Sequence, residues 1–285
     1  MYIFLENMQI FKEKKILQKH LKTITKSKSI GFVATMGSLH SGHLSLISSS
    51  KSICCITVCS IFINPTQFNN SNDYKNYPKD YNNDISLLKN MDCDILYIPK
   101  VKDVYEEKIE SRKYNLGKVA ENLEGKYRPG HFDGVATVVD KLFDIVSPNI
   151  AFFGEKDLQQ LQVIKKLVSI TNRKIDIIGV KTTRESNGLA KSSRNKLLSK
   201  EEIKEASIIF ECLDYCKHNM HLNIKKIKLH IENQFLENQK IQLEYIEFVE
   251  LNTFDKIQVW GEEKPNAVCI AAYINNVRLI DNIIL

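Results

Sequence analysis

No apolar run in this chain approaches the roughly 20 residues of a membrane-spanning helix, so no membrane partner is expected. Before Glu6 the amino end offers only Tyr2-Ile-Phe-Leu5, too short for the apolar core of a secretory signal. The seven cysteines are odd in number and form no C-x-x-C pair, which supports neither a zinc ribbon nor a disulfide framework. Three of them, Cys54, Cys55 and Cys59, sit in an apolar run as reduced core thiols would, and a reducing cytoplasm fits. Charge of one sign is also missing. The 40 basic and 34 acidic residues leave a formal +6, with lysines interleaved as in Lys12-Glu13-Lys14, so a solvated surface is expected and a nucleic-acid stripe is not. No G-x-G-x-x-G follows a candidate strand, which disfavours a dinucleotide fold of that type. Repeats and low-complexity tracts are absent, and no Ser-His-Asp or Cys-His arrangement has support.

What is present is organised around Gly31 to Ile47. Ile30 to Ala34 has the length and β-branched character of a buried parallel strand. Thr35-Met36-Gly37 breaks it, and from Ser38 the apolar residues Leu39, Leu44, Leu46 and Ile47 suit the first turns of a helix. A strand, a glycine turn and a helix start make a phosphate site, because a helix N-terminus presents unpaired N–H groups and positive dipole. Gly37 and Gly42 have the spacing of a P-loop, but His43-Leu44 stands where Lys-Ser/Thr is required. The remaining pattern is H-x-G-H, similar to that of enzymes transferring nucleotidyl groups at the α-phosphate of ATP. His40 and His43 share one face of the helix start, where imidazoles can donate to anionic oxygens.

Along the rest of the chain, apolar periodicity predicts a helix from Met8 to about Lys22, with the helix after the glycine turn reaching about Ser50. Strands are expected at Cys54–Ile63, Asp94–Ile98, Ile150–Phe153 and Ile175–Val180. Helices are expected at Asp84–Asn90, Val135–Val146 and Leu158–Val168, with Asn69 to Asp80 a loop and residues 100–126 unassigned. The alternation argues an α/β fold with a parallel, Rossmann-like sheet and right-handed crossovers. Polar loops fall after Ala34, Ile63, Phe153 and Val180, at the strand ends where such sheets bind ligands. Beyond Ser199, helices at Glu201–Cys216 and Ile224–Gln239 and strands at Leu243–Leu251 and Val268–Ile274 suggest a smaller α+β domain. The expected division is 1–181 and 182–285.

Each loop has a bland and a functional interpretation. Asn64 and Gln67 are neutral amides that can hold a hydroxyl or carboxylate, or simply cap a turn. Gly154-Glu155-Lys156-Asp157 offers backbone N–H groups, an ammonium and a carboxylate, or a solvated helix cap. Of the adjacent Gln159 and Gln160, at most one faces the site. Lys191-Ser192-Ser193-Arg194 is a basic, hydroxyl-rich loop of the kind that clamps a triphosphate, or a surface loop.

Several long motifs carry a resemblance. They are Thr35-Met-Gly-Ser-Leu-His-Ser-Gly-His43, Phe62-Ile-Asn-Pro-Thr-Gln-Phe68 and Arg128-Pro-Gly-His-Phe-Asp-Gly-Val-Ala-Thr-Val-Val139. Phe153-Gly-Glu-Lys-Asp-Leu-Gln-Gln160, Thr183-Arg-Glu-Ser-Asn-Gly-Leu-Ala-Lys-Ser-Ser-Arg-Asn195 and the closing Arg278-Leu-Ile-Asp-Asn282 complete the set. In order and spacing these resemble the pantothenate synthetase (pantoate–β-alanine ligase) family of H-x-G-H nucleotidyltransferases, from about residue 30 to the end. The resemblance implies ATP-dependent joining of pantoate and β-alanine through a pantoyl-adenylate, with Mg²⁺, in a homodimer whose small C-terminal domain acts as a lid. It implies that Met36, Gly37, Ser38, Leu39, His40, Ser41, Gly42 and His43 line ATP, with His43 the proton donor. Gly154, Glu155, Lys156, Asp157, Thr183, Lys191, Ser192, Ser193 and Arg194 would also contact ATP. The catalytic group would be His40, His43, Lys156, Ser192, Ser193 and Arg194. Gln67 and Gln160, with Asn64 and Tyr77, would hold the substrates, and Asp84 a metal. Departures from the family pattern stand at Ala34, Asn69, Lys79, Asn83, Asn187 and Lys191.

Three rivals remain at this point. They are another H-x-G-H nucleotidyltransferase with a phosphorylated acceptor, a non-catalytic nucleotide-binding module, and a transfer-RNA synthetase fragment.

Overall fold

The computed structural model describes residues 8–24, 28–68, 71–106, 108–261 and 265–285. Residues Tyr2 to Leu5 and Asn69, named above, lie outside them. Its first layer is a six-stranded parallel sheet: β1 (Gln9–Phe11), β2 (Ile30–Thr35), β3 (Ile56–Ile61), β4 (Ile95–Tyr97), β5 (Ile150–Gly154) and β6 (Asp176–Val180). Their spatial order is β1-β4-β3-β2-β5-β6. The chain winds outward from β2 through β3 to β4, then crosses back to lay β5 on the other side of β2. That reversal opens a crevice above the carboxyl ends of β2 and β5, where sheets of this kind take ligands. Every residue of β3 is buried and β2 nearly so, as the unbroken apolar runs require of strands covered on both faces.

The covering helices are α1 (Lys14–Ile24), α2 (Ser41–Ile53), α3 (Ser71–Asn76), α4 (Tyr81–Asn90), α5 (Val101–Val104), α6 (Glu124–Tyr127), α7 (His131–Val146) and α8 (Leu158–Ile170). At the amino end the single predicted helix gives way to β1 and α1. Ile16 is 52% exposed while Leu17 and Leu21 are buried, so the apparent apolar stripe is shorter than the pattern suggests. Gln9–Phe11 pairs instead with the open edge of β4. Within the expected loop after Asn69, Ser71–Asn76 forms a short helix. Its polar composition carries no apolar period to reveal it. In the unassigned stretch, α5 and α6 flank a 3-10 turn at Gly117–Ala120.

The carboxyl-terminal part holds α9 (Lys200–Glu205), α10 (Ile208–His218) and α11 (Ile224–Glu237) beside an antiparallel sheet of β7 (Ile241–Glu250), β8 (Asn266–Ile274) and β9 (Val277–Ile284). One expected helix divides into α9 and α10 around Ala206-Ser207. β9 is a strand that the apolar pattern does not predict. It follows β8 through the two-residue turn Asn275-Asn276, where Asn275 has φ +50°, a hairpin device that the Asn-Asn pair signals. One face of this sheet, with Ile246, Phe248, Val268 and Ile270, packs with Ile209, Leu213, Ile227 and Ile231 of the helices. The opposite face places Tyr245, Val249, Ala267, Cys269 and Ala271 in the main core. Both faces are therefore buried.

A charged network crosses the same interface. Arg278 on β9 donates to Glu124 on α6 through Nη1 (2.8 Å) and Nη2 (2.6 Å), and through Nε to Glu244 (2.9 Å). The Tyr245 hydroxyl also donates to Glu124 (2.8 Å). Burial works to raise the Glu124 carboxyl, but the hydrogen bonds and charge of Arg278, with Tyr245 and Arg128, hold it at about 2. Its folded pKa lies below the ordinary 4.5, so this stabilisation is complete above pH 4.5 and disappears as pH falls toward 2. Arg278→Met takes the main partner from the buried Glu124 and from the half-buried Glu244, and is expected to cost about 3–5 kcal/mol at neutral pH. Urea unfolding of parent and variant at pH 7 and pH 3 checks both statements. The gap between them must shrink at the lower pH.

Candidate active site

The turn after β2 bends through Gly37 (φ +82°) and Ser38 (φ +51°). A Cβ at Gly37 would lie 2.9 Å from Ile61 Cγ2 and 3.0 Å from Asp84 Oδ2, so glycine is needed for space as well as conformation. Thr35 Oγ1 donates to the Ser60 carbonyl (2.8 Å) and accepts the Gly37 N–H (3.2 Å), which holds the turn with Ala34 in place of a proline. Asp84 on α4 accepts the N–H groups of Ser38 (2.9 Å) and Leu39 (2.7 Å) from opposite sides of its carboxylate.

α2 then starts at Ser41 with His40 as its cap. His40 Nδ1 accepts the Gly42 N–H (3.1 Å), and His43 Nδ1 accepts the His40 N–H (3.3 Å). Because each Nδ1 accepts, each neutral ring carries its proton on Nε2, and that N–H is left to donate elsewhere. The rings lie 4.1 Å apart between centroids. Burial lowers the pKa of His43 to about 3, helped by His40, Lys156 and Lys196. Burial likewise lowers His40 to about 4, with Lys156, Lys196 and Lys191 adding to the effect. At neutral pH and with no phosphate beside them, both rings are uncharged and carry their proton on Nε2.

After β3, Asn64 is 1% exposed and caps the turn Pro65–Gln67. Its amide donates to Gln67 Oε1 (3.2 Å) and the Gly134 carbonyl (3.1 Å), while its oxygen accepts from Tyr105 (2.6 Å). With both amide hydrogens used, Asn64 anchors the loop after β3. α7 approaches so closely that a Cβ at Gly134 would fall 2.3 Å from the Thr66 carbonyl oxygen. Gln67, by contrast, is half-buried and gives one N–H to Met36 Sδ (2.9 Å), a weak acceptor that a substrate oxygen would readily replace. Tyr77 packs edge-on to Phe68 beside it.

Gly154 ends β5 and the 3-10 turn Glu155–Asp157 follows it, with Lys156 Nζ 3.6 Å from Asp157 Oδ1. On α8, Gln159 is consumed by Glu124 N–H, Val119 O and Asn122 O, leaving Gln160 as the open amide. The loop after β6 turns back as a narrow hairpin in which Lys191 N–H meets the Thr183 carbonyl (2.9 Å). Ser192 caps the 3-10 turn Ser193–Leu197, and Ser193 Oγ donates to the Ser38 carbonyl (3.1 Å). The two ends of the expected ATP-binding set, 155 residues apart in sequence, are thereby joined. Asn187 fits its loop by donating to the Ile203 carbonyl (2.9 Å).

Lys191 points to Glu185 (2.9 Å), yet its charge reaches His40. A half-exposed, paired lysine contributes little. Lys191→Met is therefore expected to raise the ATP requirement less than about fivefold at low salt, and the difference should vanish as salt screens it. Saturation curves at two ionic strengths check this. A salt-independent loss would mean a direct contact.

Asp84 does not suit a resident metal. It is 1% exposed, each oxygen already accepts a backbone N–H, and neighbouring Asn83 is exposed. Among the described residues no three His, Cys, Asp or Glu side chains converge as a metal site. Both carboxylate oxygens of Asp84 brace the turn after β2 through the Ser38 and Leu39 N–H groups.

Three groups escaped the sequence reading. Lys196 Nζ donates to Ser38 Oγ (3.1 Å), adding a cation beside both histidines; its spacing three residues beyond Ser193, one 3-10 turn, was the available signal. His131 is buried with Nδ1 on the Gln67 carbonyl (2.9 Å), so its Nε2 accepts from Arg128 Nη1 (3.1 Å). Arg128 and His131 line a cavity of about 40 Å³ together with Lys156, Gln160, Tyr245 and Asn282.

A parallel sheet with an H-x-G-H helix start, lysines and a hydroxyl loop at its crossover crevice defines the nucleotidyltransferase class. Residues 9–284 match the family model described as pantoate-beta-alanine ligase. The chain belongs to the pantoate–β-alanine ligase family, and ATP-dependent joining of pantoate to β-alanine is its activity. It is 42% identical over 281 residues to a pantothenate synthetase of Christiangramia forsetii, covering 98% of this chain and 99% of that one. A crystal structure of pantothenate synthetase from Thermus thermophilus superposes with TM-score 0.90 at 34% identity, over 97% of this chain and 99% of that one. Another, from Francisella tularensis, complexed with beta-gamma ATP and beta-alanine, gives TM-score 0.81 at 39% identity over 97% of each.

Proposed function

We propose that this crevice carries out the two half-reactions as follows. A carboxylate is a poor target for an amine until one of its oxygens becomes part of a good leaving group. Pantoate, held by Gln67 and Gln160, attacks the α-phosphate of ATP, and pyrophosphate departs. The helix start at His40 to His43, the Nε2–H groups of both histidines, and Lys156, Lys196 and Arg194 receive the charge that develops on the phosphates. Ser192 and Ser193 order the loop that covers the leaving group. The amine of β-alanine, held beside Gln67, then attacks the acyl carbon of the pantoyl-adenylate. AMP leaves and the amide remains. Keeping the adenylate in place makes this second step effectively unimolecular.

The carrying observation is the meeting of two Nε2–H imidazoles, Lys156 and Lys196 around one turn at the end of β2. ATP enters as its magnesium complex, so the metal belongs to the substrate. We further assign 1–181 as the nucleotidyltransferase domain and 182–285 as the lid that keeps water from the anhydride, in a cytoplasmic homodimer. Sedimentation of the purified chain tests the dimer. AMP release from ATP and pantoate, with and without β-alanine, tests the chemistry. Exchange that required a phosphorylated acceptor instead of pantoate would favour the rival transferase.

Gln67→Ala and Gln160→Ala should each raise the pantoate requirement by roughly 10–100-fold, the loss of one hydrogen bond to a charged partner at about 1.5–3 kcal/mol. Titration calorimetry with ATP provides the comparison. An equal collapse of ATP affinity would show that these amides serve the nucleotide.

A further inference from the structure

The motif Arg278 to Asn282 closes the chain, and the chemistry above leaves its last residue without a role. The 3-10 turn that presents Lys156 has no cap of its own. Gly154 before it has no side chain to offer, and Asp157, its last residue, makes no side-chain capping bond to α8. Its carbonyls are held from β9. Asn282 Nδ2 donates to the carbonyls of Glu155 (2.9 Å) and Lys156 (2.8 Å), using both hydrogens of one amide on consecutive residues.

Asn282 is itself fixed. Its backbone N–H donates to Asp281 Oδ1 (2.8 Å), and Arg184 grips that carboxylate through Nη1 (2.5 Å) and Nη2 (3.2 Å). Antiparallel pairing sets Asn282 opposite Cys269 on β8. A chain of bonds thus runs from the loop that follows β6, through β9, to the backbone under Lys156.

We propose that Asn282 is a positioning residue for Lys156, orienting the Glu155–Asp157 turn so that the ammonium meets the phosphates of ATP. The inference rests on the assignment of Lys156 to the phosphates. The side chain that meets this need has two donors on one nitrogen at a short reach. Aspartate is the same size but would aim lone pairs at two carbonyls.

The test uses the intact chain in pantoate-dependent ATP–pyrophosphate exchange, with thermal unfolding in parallel. Asn282→Ala is expected to lower exchange roughly 10–100-fold, the scale of a misplaced catalytic group. Asn282→Asp should be at least as damaging. In a Lys156→Ala background the Asn282→Ala change should cost less than about threefold, because residues acting as one unit are not additive. Equal losses in both backgrounds, or parental exchange in Asn282→Asp, would overturn the proposal. If Asn282→Ala does not accumulate, Asn282→Ser keeps one donor and enters the same comparison. Parental exchange in Lys156→Ala alone would overturn the phosphate assignment and this inference with it. An impaired Lys156→Ala combined with additive Asn282→Ala would overturn the inference only.

Discussion

Replacing His43 by alanine is expected to lower pantoate-dependent ATP–pyrophosphate exchange by roughly 100–1,000-fold, the usual loss on removing one preorganised donor from developing charge. The ring does two jobs. Its Nδ1 accepts the His40 N–H at the start of α2, which forces the proton onto Nε2, and Nε2–H is the donor that the phosphates would meet. The two jobs can be separated. Asparagine at 43 can place an acceptor near the position of Nδ1 but has nothing at the position of Nε2. His43→Asn should therefore unfold nearer the parental temperature than His43→Ala while remaining as slow. The pKa of about 3 adds a second readout. A histidine lowered that far is already neutral at pH 5, so the parent's exchange rate in the free-enzyme regime should show no inflection from His43 between pH 5 and 8. An inflection near 6.5 that disappears in the variant would mean an imidazolium donor, and undiminished exchange in either variant would move the chemistry elsewhere.

The parts of this site legible in sequence were those built from local chemistry. β2, the glycine turn and α2 occupy consecutive residues, and each of them follows from strand pattern, backbone freedom and helix-end electrostatics. That the loops after β5 and β6 meet the turn after β2 was legible because a parallel sheet must gather such loops at one edge. Roles that depend on a partner far along the chain were not legible. Asn64 and Gln67 are both neutral amides three residues apart. Only the carbonyl of Gly134 and the hydroxyl of Tyr105 reveal that the first is consumed and the second open. Gln159 and Gln160 divide in the same way, through Val119, Asn122 and Glu124. Lys196 looks like one more surface lysine until Ser193 is seen to pin its turn against Ser38. At the amino end, apolar periodicity misleads because Ile10 and Ile16 are exposed, and the free edge of β4 decides the conformation of Gln9–Phe11. β9 is hidden by its own motif, since Arg278, Asp281 and Asn282 interrupt the alternation expected of a strand.

Asp84 has two competing assignments, metal ligand and strut under the turn after β2, and its removal separates them. Read as a metal ligand, Asp84 would matter for magnesium affinity and little for folding. The geometry gives it the Ser38 and Leu39 N–H groups in a buried turn where both Gly37 and Ser38 have positive φ. Burial raises its carboxyl pKa, against the lowering effect of those two N–H bonds. Ionised, it can accept both bonds and satisfy the buried N–H groups of a strained turn. Asp84→Ala leaves two buried donors unpaired, each costing about 1–3 kcal/mol, and is expected to destabilise the chain by roughly 2–6 kcal/mol. Because the same turn starts α2, exchange should fall with it. Asp84→Asn is the sharper variant. Its amide matches the carboxylate in size but offers only one oxygen, so one N–H faces a donor and about half of the loss should appear. Urea unfolding at several magnesium concentrations measures the stability, and exchange at saturating magnesium measures the function. A strut predicts losses in both that magnesium does not repair. Full recovery of exchange at high magnesium, with unfolding unchanged from the parent, would restore Asp84 to the metal.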